Sequence, residues 1–265
     1  MPGLAMNSGP TTEPPGGLTE DAFLGGQLRL RQPKAGHRAG HDAILLAAAT
    51  AARGGDRVAD FGAGVGAAGL AVARRIPAIR LVLLEIDEAL AALARQNAAA
   101  NAIEADVIAM DVRSSGEIFA AAGLPPDSVD VILMNPPFNE LRRHRSSPDK
   151  HRETAHVADP ATLESWLHAA RRSLKTGGAL TLIWRADALA EVLTALKRGF
   201  GSLTILPVHG SASAPAIRVL IRALKGGRAP TALCPGLMLN DESGLPNKQV
   251  QEILAGKATL PLARL

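Results

Sequence analysis

Residues 57–76 read "RVADFGAGVGAAGLAVARRI". The first five make a short apolar run of strand character. Gly62, Gly64 and Gly66 follow at once, and then an alanine-rich run with helical spacing. Strand, glycine turn and helix in that order form the opening of an α/β unit. The same grammar recurs downstream. "IRLVLLEID" reads as a second strand and "EALAALARQNAAAN" as a second helix. "ADVIAMD" is a third strand, and "SVDVILMN", after a helical or irregular piece, a fourth. "PATLESWLHAARRSL" is a helix before a fifth strand, "GALTLIW". "ALAEVLTALKRG" is a helix leading into "SLTILPV", and "AIRVLIRAL" comes after only a short loop. Apolar strands alternating with helices predict a parallel sheet covered on both faces, a doubly wound α/β fold. The last two strands lack an intervening helix, so they are expected to pair antiparallel at the end of the sheet.

Upstream, "AFLGGQLRLRQP" predicts a hairpin turning at Gly25-Gly26, with Leu28 and Leu30 alternating after it. "HDAILLAAATAA" predicts a helix with Asp42 near its start, where a carboxylate suits the helix dipole. Residues 1–20 are rich in Pro, Gly and Thr and are expected to be a loose tail. Residues 21–265 then form one domain: a hairpin and leading helix over 21–55, the core sheet over 56–225, and an extension over 226–265 with a packed loop and a short helix.

The 265 residues are 47% hydrophobic, which fits a globular chain with ample core. Cys234 is the sole cysteine, so no internal disulfide forms, and a reducing, cytoplasmic setting is expected. No apolar run is long enough for a membrane span, and the first residues lack the pattern of a signal peptide. A net charge of +4 permits a polyanionic partner without requiring one.

The glycine turn suits a ligand approached closely by backbone, with free N–H groups at the helix start behind it. Two ligand classes fit it. Gly64, Gly66 and Gly69 spell the dinucleotide pattern G-x-G-x-x-G. Asp60, just before the glycines, suits the cationic end of S-adenosylmethionine. Glu85 ends the second strand, where a carboxylate accepts ribose hydroxyls, with Asp87 as the competing acid. Asp111 ends the third and suits either an adenine amino group or a helix cap.

The fourth strand ends in Asn135-Pro136-Pro137-Phe138. Proline fixes its own φ and forces the residue before it into extended geometry, so the corner is rigid. Neither proline carries an N–H. The amide oxygen of Asn135 and the carbonyl of Pro136 are left to accept the two hydrogens of a planar NH2, and Phe138 offers a face for stacking. The nitrogen lone pair is thereby turned toward an electrophile across the cleft, where the methyl of S-adenosylmethionine would lie.

"NPPF" after a strand, together with "DFGAGVG", resembles the amino-directed S-adenosylmethionine-dependent methyltransferases. The segment "FLGGQLRLRQPKAGHRAGHDAILLAAA", residues 23–49, and the C-terminal "LMLNDESG" with "ILAG" are similar to the bacterial adenine-N6 methyltransferases that act on valine tRNA beside the anticodon. His37 departs from that pattern, which often has an aromatic there. The resemblance spans residues 20–256 and implies a seven-stranded, mostly parallel sheet with the last strand antiparallel. It implies S-adenosylmethionine as cofactor, held by Asp60, Gly62, Gly64, Glu85, Asp111 and Asn135. Asn135, Pro136 and Phe138 then receive the target amine.

The loop after the corner carries Arg142, Arg143, Arg145, Lys150 and Arg152, a basic stretch suited to RNA phosphates. His144, His151 and His156 lack acidic neighbours in a ligating pattern, and His37 and His41 fit the lining of the cleft or a solvent-facing position better than a metal, so no metal is expected. Trp166 and Trp184 read as core. The rival acceptors are a protein glutamine side chain and the guanine N2 amine of ribosomal RNA. An NAD(P)-dependent reductase would leave "NPPF" unexplained, and a non-catalytic scaffold would not need Asp60, Glu85 and Asn135 intact.

Overall fold

The computed structural model describes residues 17–36, 38–137 and 160–264. It begins with an antiparallel hairpin, β1 (Leu18–Phe23) and β2 (Leu28–Pro33), in register from Leu18↔Pro33 to Phe23↔Leu28. Gly25 and Gly26 turn it, at φ of 64° and 91°, which an L side chain rarely adopts. Leu28 and Leu30 point inward while Arg29 and Arg31 stay exposed. The first strand starts at Leu18, inside the stretch expected to be tail. Its sequence, LTEDAF, has no alternation of its own, and its pairing with β2 is what defines it.

After α1 (His41–Ala49), the strand–helix alternation runs as expected: β3 (Arg57–Phe61), α2 (Ala67–Arg75), β4 (Arg80–Glu85), α3 (Glu88–Ala100), β5 (Ala105–Ala109), α4 (Gly116–Ala121), β6 (Val129–Met134), α5 (Pro160–Ser173), β7 (Leu174–Arg185), α6 (Leu189–Leu196). Then β8 (Phe200–His209) and β9 (Ala216–Lys225) follow with no helix between them. The strand order is β8-β9-β7-β6-β3-β4-β5, parallel except for β9, which runs antiparallel to both neighbours. These seven strands match the expected sheet. Two further pairs of residues, β10 (Ala232–Leu233) and β11 (Leu237–Met238), lie along the outer edge of β8, so the full sheet has nine strands. The C-terminal extension thus covers an open sheet edge before α7 (Lys248–Leu254) packs back on α1.

The strands are apolar on both sides because both faces are buried. On β4, Leu81 and Leu83 join one core with α1, α2, α3 and the hairpin, while Val82 and Leu84 join a second with α4, α5 and α6. β6 divides in the same way, with Val131 and Leu133 on one face and Ile132 and Met134 on the other. Among the described residues no helix is long and apolar enough to cross a membrane.

Candidate active site

The register of three strands sets the site. Phe61 on β3 faces Leu84 on β4 and Met134 on β6. One step further, Gly62, Glu85 and Asn135 form a row across the carboxyl ends of adjacent strands. Strands lie about 4.8 Å apart, so the row spans roughly 10 Å. Loops leaving this edge of a doubly wound sheet make its ligand crevice.

Gly62, Gly64 and Gly66 all adopt positive φ, at 71°, 56° and 90°. The turn is tied down by its own backbone: the Ala63 N–H donates to the Leu84 carbonyl at 2.8 Å, and the Gly66 N–H to Ala63 at 2.8 Å. Glu85 closes it. One carboxylate oxygen accepts from the Gly64 N–H at 2.7 Å and the other from the Asp87 N–H at 2.9 Å. Asp87 turns the other way and caps α3, accepting from the N–H groups of Ala89 and Leu90. Of the two acids, only Glu85 bonds to the glycine turn.

Asp60 is fully buried and accepts from the Gly69 N–H at 2.8 Å, fastening strand to helix. Burial pushes its carboxyl up to about 7; the Gly69 hydrogen bond opposes the rise and the nearby Glu85 charge adds to it. A side chain at Gly69 would meet Leu83 and the Asp60 carboxylate, so the bond depends on glycine there. Asp111 stands two residues beyond the end of β5, and Arg113 grips it, with Nη2 at 2.7 Å and the backbone N–H at 2.8 Å. The cap of α4 is Ser115 and not Asp111.

Asn135 is half-buried, and its amide oxygen is buried with no hydrogen-bond partner among the described residues. Pro136 is buried behind it and Pro137 is exposed. An acceptor without a donor costs about 1–3 kcal/mol and is rare in native proteins. Phe138, the basic residues Arg142, Arg143, Arg145, Lys150 and Arg152, and His37, His144, His151 and His156 lie outside the described residues.

Two contacts at the site have no signature in local sequence. Trp166 on α5 joins the core as expected, but its ring tip fills the space a side chain at Gly62 would take. Asn97 on α3 is wholly buried; it donates to the carbonyls of Val65 and Arg31 and accepts from the Arg31 N–H at 2.8 Å. Asn101, one turn on, pairs with Arg29 likewise. The hairpin is thereby sewn to α3 and to the glycine turn. The only visible trace is a pair of asparagines four apart in an alanine-rich helix. The groups that fit a cationic, ribose-bearing ligand are a turn where nothing stands within 4 Å of a side-chain position at Gly64, a carboxylate beneath it, and an unpaired acceptor beside it.

The family model for the methyltransferase small domain matches residues 41–210. The tRNA1(Val) (adenine(37)-N6)-methyltransferase of Bacteroides thetaiotaomicron is 32% identical over 170 residues, covering 64% of this chain and 68% of that protein. Ribosomal RNA small subunit methyltransferase C of Pseudomonas syringae pv. tomato is 36% identical over 124 residues, covering 47% of this chain but 30% of that protein. A crystal structure from Agrobacterium tumefaciens, described as a predicted O-methyltransferase, aligns with a TM-score of 0.69 and 31% identity, covering 83% of this chain and 98% of its own.

Proposed function

The chain belongs to the methyltransferase small domain family, and on that premise we propose that it methylates the N6 amine of an adenine in tRNA, using S-adenosylmethionine. The observation that carries the reading is the buried, unpaired amide oxygen of Asn135, next to Gly62 in the row of strand ends. An incoming NH2 supplies the donor that oxygen lacks, and the Pro136 carbonyl takes the second hydrogen. A hydroxyl acceptor has one hydrogen and would leave one of the two oxygens unmatched. The tRNA1(Val) adenine-N6 enzyme at 32% identity supports the choice of base and RNA.

Gly62 and Gly64 would hold the cofactor against backbone. Glu85 would accept its ribose hydroxyls, since each carboxylate oxygen keeps a lone pair beyond the one bonded to an N–H. Asp111 would accept from the adenine amine, and Asp60 would brace the turn from beneath. Bound there, S-adenosylmethionine supplies a methyl group already activated by its sulfonium. The chain's own part is alignment: the proline-locked corner would fix the amine in line with the row of strand ends. Alignment of this kind is worth about 7–11 kcal/mol at best. A stacked adenine must be flipped out to reach the corner. An enzyme acting on tRNA would work in the cytoplasm, and Arg142, Arg143, Arg145, Lys150 and Arg152, which follow the corner in sequence, would meet RNA phosphates.

Guanine-N2 methylation of ribosomal RNA is the second reading; the 36% identity to ribosomal RNA small subunit methyltransferase C favours ribosomal RNA as the acceptor, and the same two oxygens would take that amine. Labelled S-adenosylmethionine incubated with tRNA, ribosomal RNA and protein from a strain lacking the gene separates these. The expected product after digestion is labelled N6-methyladenosine from tRNA. Label in N2-methylguanosine would replace it with the second reading, and label confined to protein would sink both.

A further inference from the structure

A cleft of about 330 Å³ runs along α5 on the face opposite the hairpin, lined by Arg113, Arg171, Arg172, Arg198, His168 and Glu164. Four guanidiniums share it with few carboxylates. Asp111 holds Arg113, and Glu164 meets Arg198 at 3.2 Å in an exposed pair worth about 0–1 kcal/mol. Among the described residues neither Arg171 nor Arg172 has a carboxylate partner. Both are nonetheless held in place. The Arg172 guanidinium lies 4.5 Å over the Phe119 ring and donates to the Ser114 carbonyl at 3.1 Å. Its Nε is buried with no acceptor among the described residues. The Arg171 stem packs on Gly199, and its Nη1 donates to the Arg198 carbonyl at 3.2 Å. Burial disfavours the Arg172 charge, so the protein spends stability to fix a cation that no carboxylate among the described residues neutralises.

Such a site suits an anion. From Glu164 to Arg172 the lining follows nine residues of α5, about 12 Å from end to end, which suits a run of phosphodiester better than a single ion. We propose that the α5 cleft seats backbone phosphates of the RNA substrate, as a docking surface separate from the row that holds the target amine. This rests on the RNA reading above and adds a second point of contact to it. The far end of the cleft lies at the opposite edge of the sheet, since the Arg172 carbonyl accepts from Asp127, two residues before β6 begins. Phosphate contacts set position and affinity without reading sequence. The cleft would therefore govern how tightly RNA binds and leave methyl transfer to the corner.

The test compares wild type with Arg171→Ala, Arg171→Lys and the double variant Arg171→Ala/Arg198→Ala, using unfractionated bacterial tRNA over a series of salt concentrations. We expect roughly 3–10-fold weaker binding for the single alanine and about 10–30-fold for the double. The slope of log affinity against log salt should become shallower by about one for each phosphate no longer held. Arg171→Lys should recover most of the binding, while melting temperature, S-adenosylmethionine affinity and turnover at saturating tRNA stay at wild-type levels. A double variant that matches wild type in affinity and slope, while wild type methylates tRNA, overturns the cleft alone. Wild type that transfers no methyl group to any RNA overturns the cleft and the proposed function together. Thermal stabilisation of wild type by orthophosphate, abolished in the double variant without change in tRNA binding, would assign the cleft to a small phosphate instead.

Discussion

The turn after β3 and the corner after β6 stand side by side in one row, yet they are built on opposite terms. In the turn every acid is used: Glu85 takes two backbone N–H groups and Asp60 takes one. At the corner the Asn135 oxygen takes none. The proposed cofactor half is a scaffold tied by hydrogen bonds within the chain itself. In the proposed target half two prolines, which supply no donor, follow an acceptor with no partner among the described residues. Proteins tolerate an unmet acceptor where a ligand meets it, and under the proposed function the contrast puts cofactor binding on one side and reaction geometry on the other.

The sharpest way to break this contrast is Asn135→Ala. Removing an acceptor that acts on the reacting amine should cost about 10²–10³ in turnover, the scale seen when one oriented partner of a reacting group is deleted. S-adenosylmethionine affinity should change by less than about threefold. Stability should not fall by the usual cost of deleting a hydrogen bond, because the protein makes none there. Single-turnover rates, calorimetric binding and a melting curve on the one variant settle the matter. Equal losses in turnover and cofactor affinity would show that Asn135 supports the turn instead, and the two halves would no longer differ in kind.

The difference between the halves was only partly legible in sequence. Strand order, the glycine turn and the rigid corner could be read because each is encoded locally, in apolar runs, in Gly62, Gly64 and Gly66, and in Asn135-Pro136-Pro137. The division of labour between Glu85 and Asp87 could not, since both acids follow the same strand and only the path of the turn decides which one faces it. Asp60 shows the same limit. It reads as an acid at a strand end, but Phe61 still follows it in β3, and helix α2 closes over it. Trp166 reads as core and is core; that its ring tip abuts Gly62 depends on how α5 crosses the sheet. The seam of Asn97 and Asn101 to the hairpin joins residues 66 and 72 positions apart, beyond the reach of any local pattern. β10 and β11 are two residues each, too short to carry an alternation.

A second and smaller break is aimed at the scaffold half. Gly62→Ala puts a side chain at φ 71° and drives it into the Trp166 ring. Strain and overpacking together should cost about 2–3 kcal/mol, or roughly 4–10 °C in melting temperature for a chain of this size. Adding Trp166→Leu should return part of that loss, because the overpacking disappears while the φ strain stays. A cycle of the four proteins measures the coupling. Independent, additive effects would mean that the turn is not braced by α5, and its rigidity would need another source.

The smallest effect concerns Asp60 and depends on pH. Burial raises its carboxyl from the ordinary 3.8 to about 7. Between those values the folded chain keeps a proton that the unfolded chain releases, so stability falls as pH rises through this window and levels off above about 7. Between pH 6 and 8 the contribution amounts to about 1.4 kcal/mol. Asp60→Asn keeps an oxygen for the Gly69 N–H and removes the titration, so the difference between the wild-type and variant melting curves should carry that slope. A cationic ligand over the turn favours the carboxylate and should flatten the slope in wild type when S-adenosylmethionine is saturating. Parallel curves for the two proteins without ligand would mean that Asp60 is ionised throughout. In that case the turn would already hold a permanent negative charge, and the scaffold half would be waiting for its ligand much as the corner does.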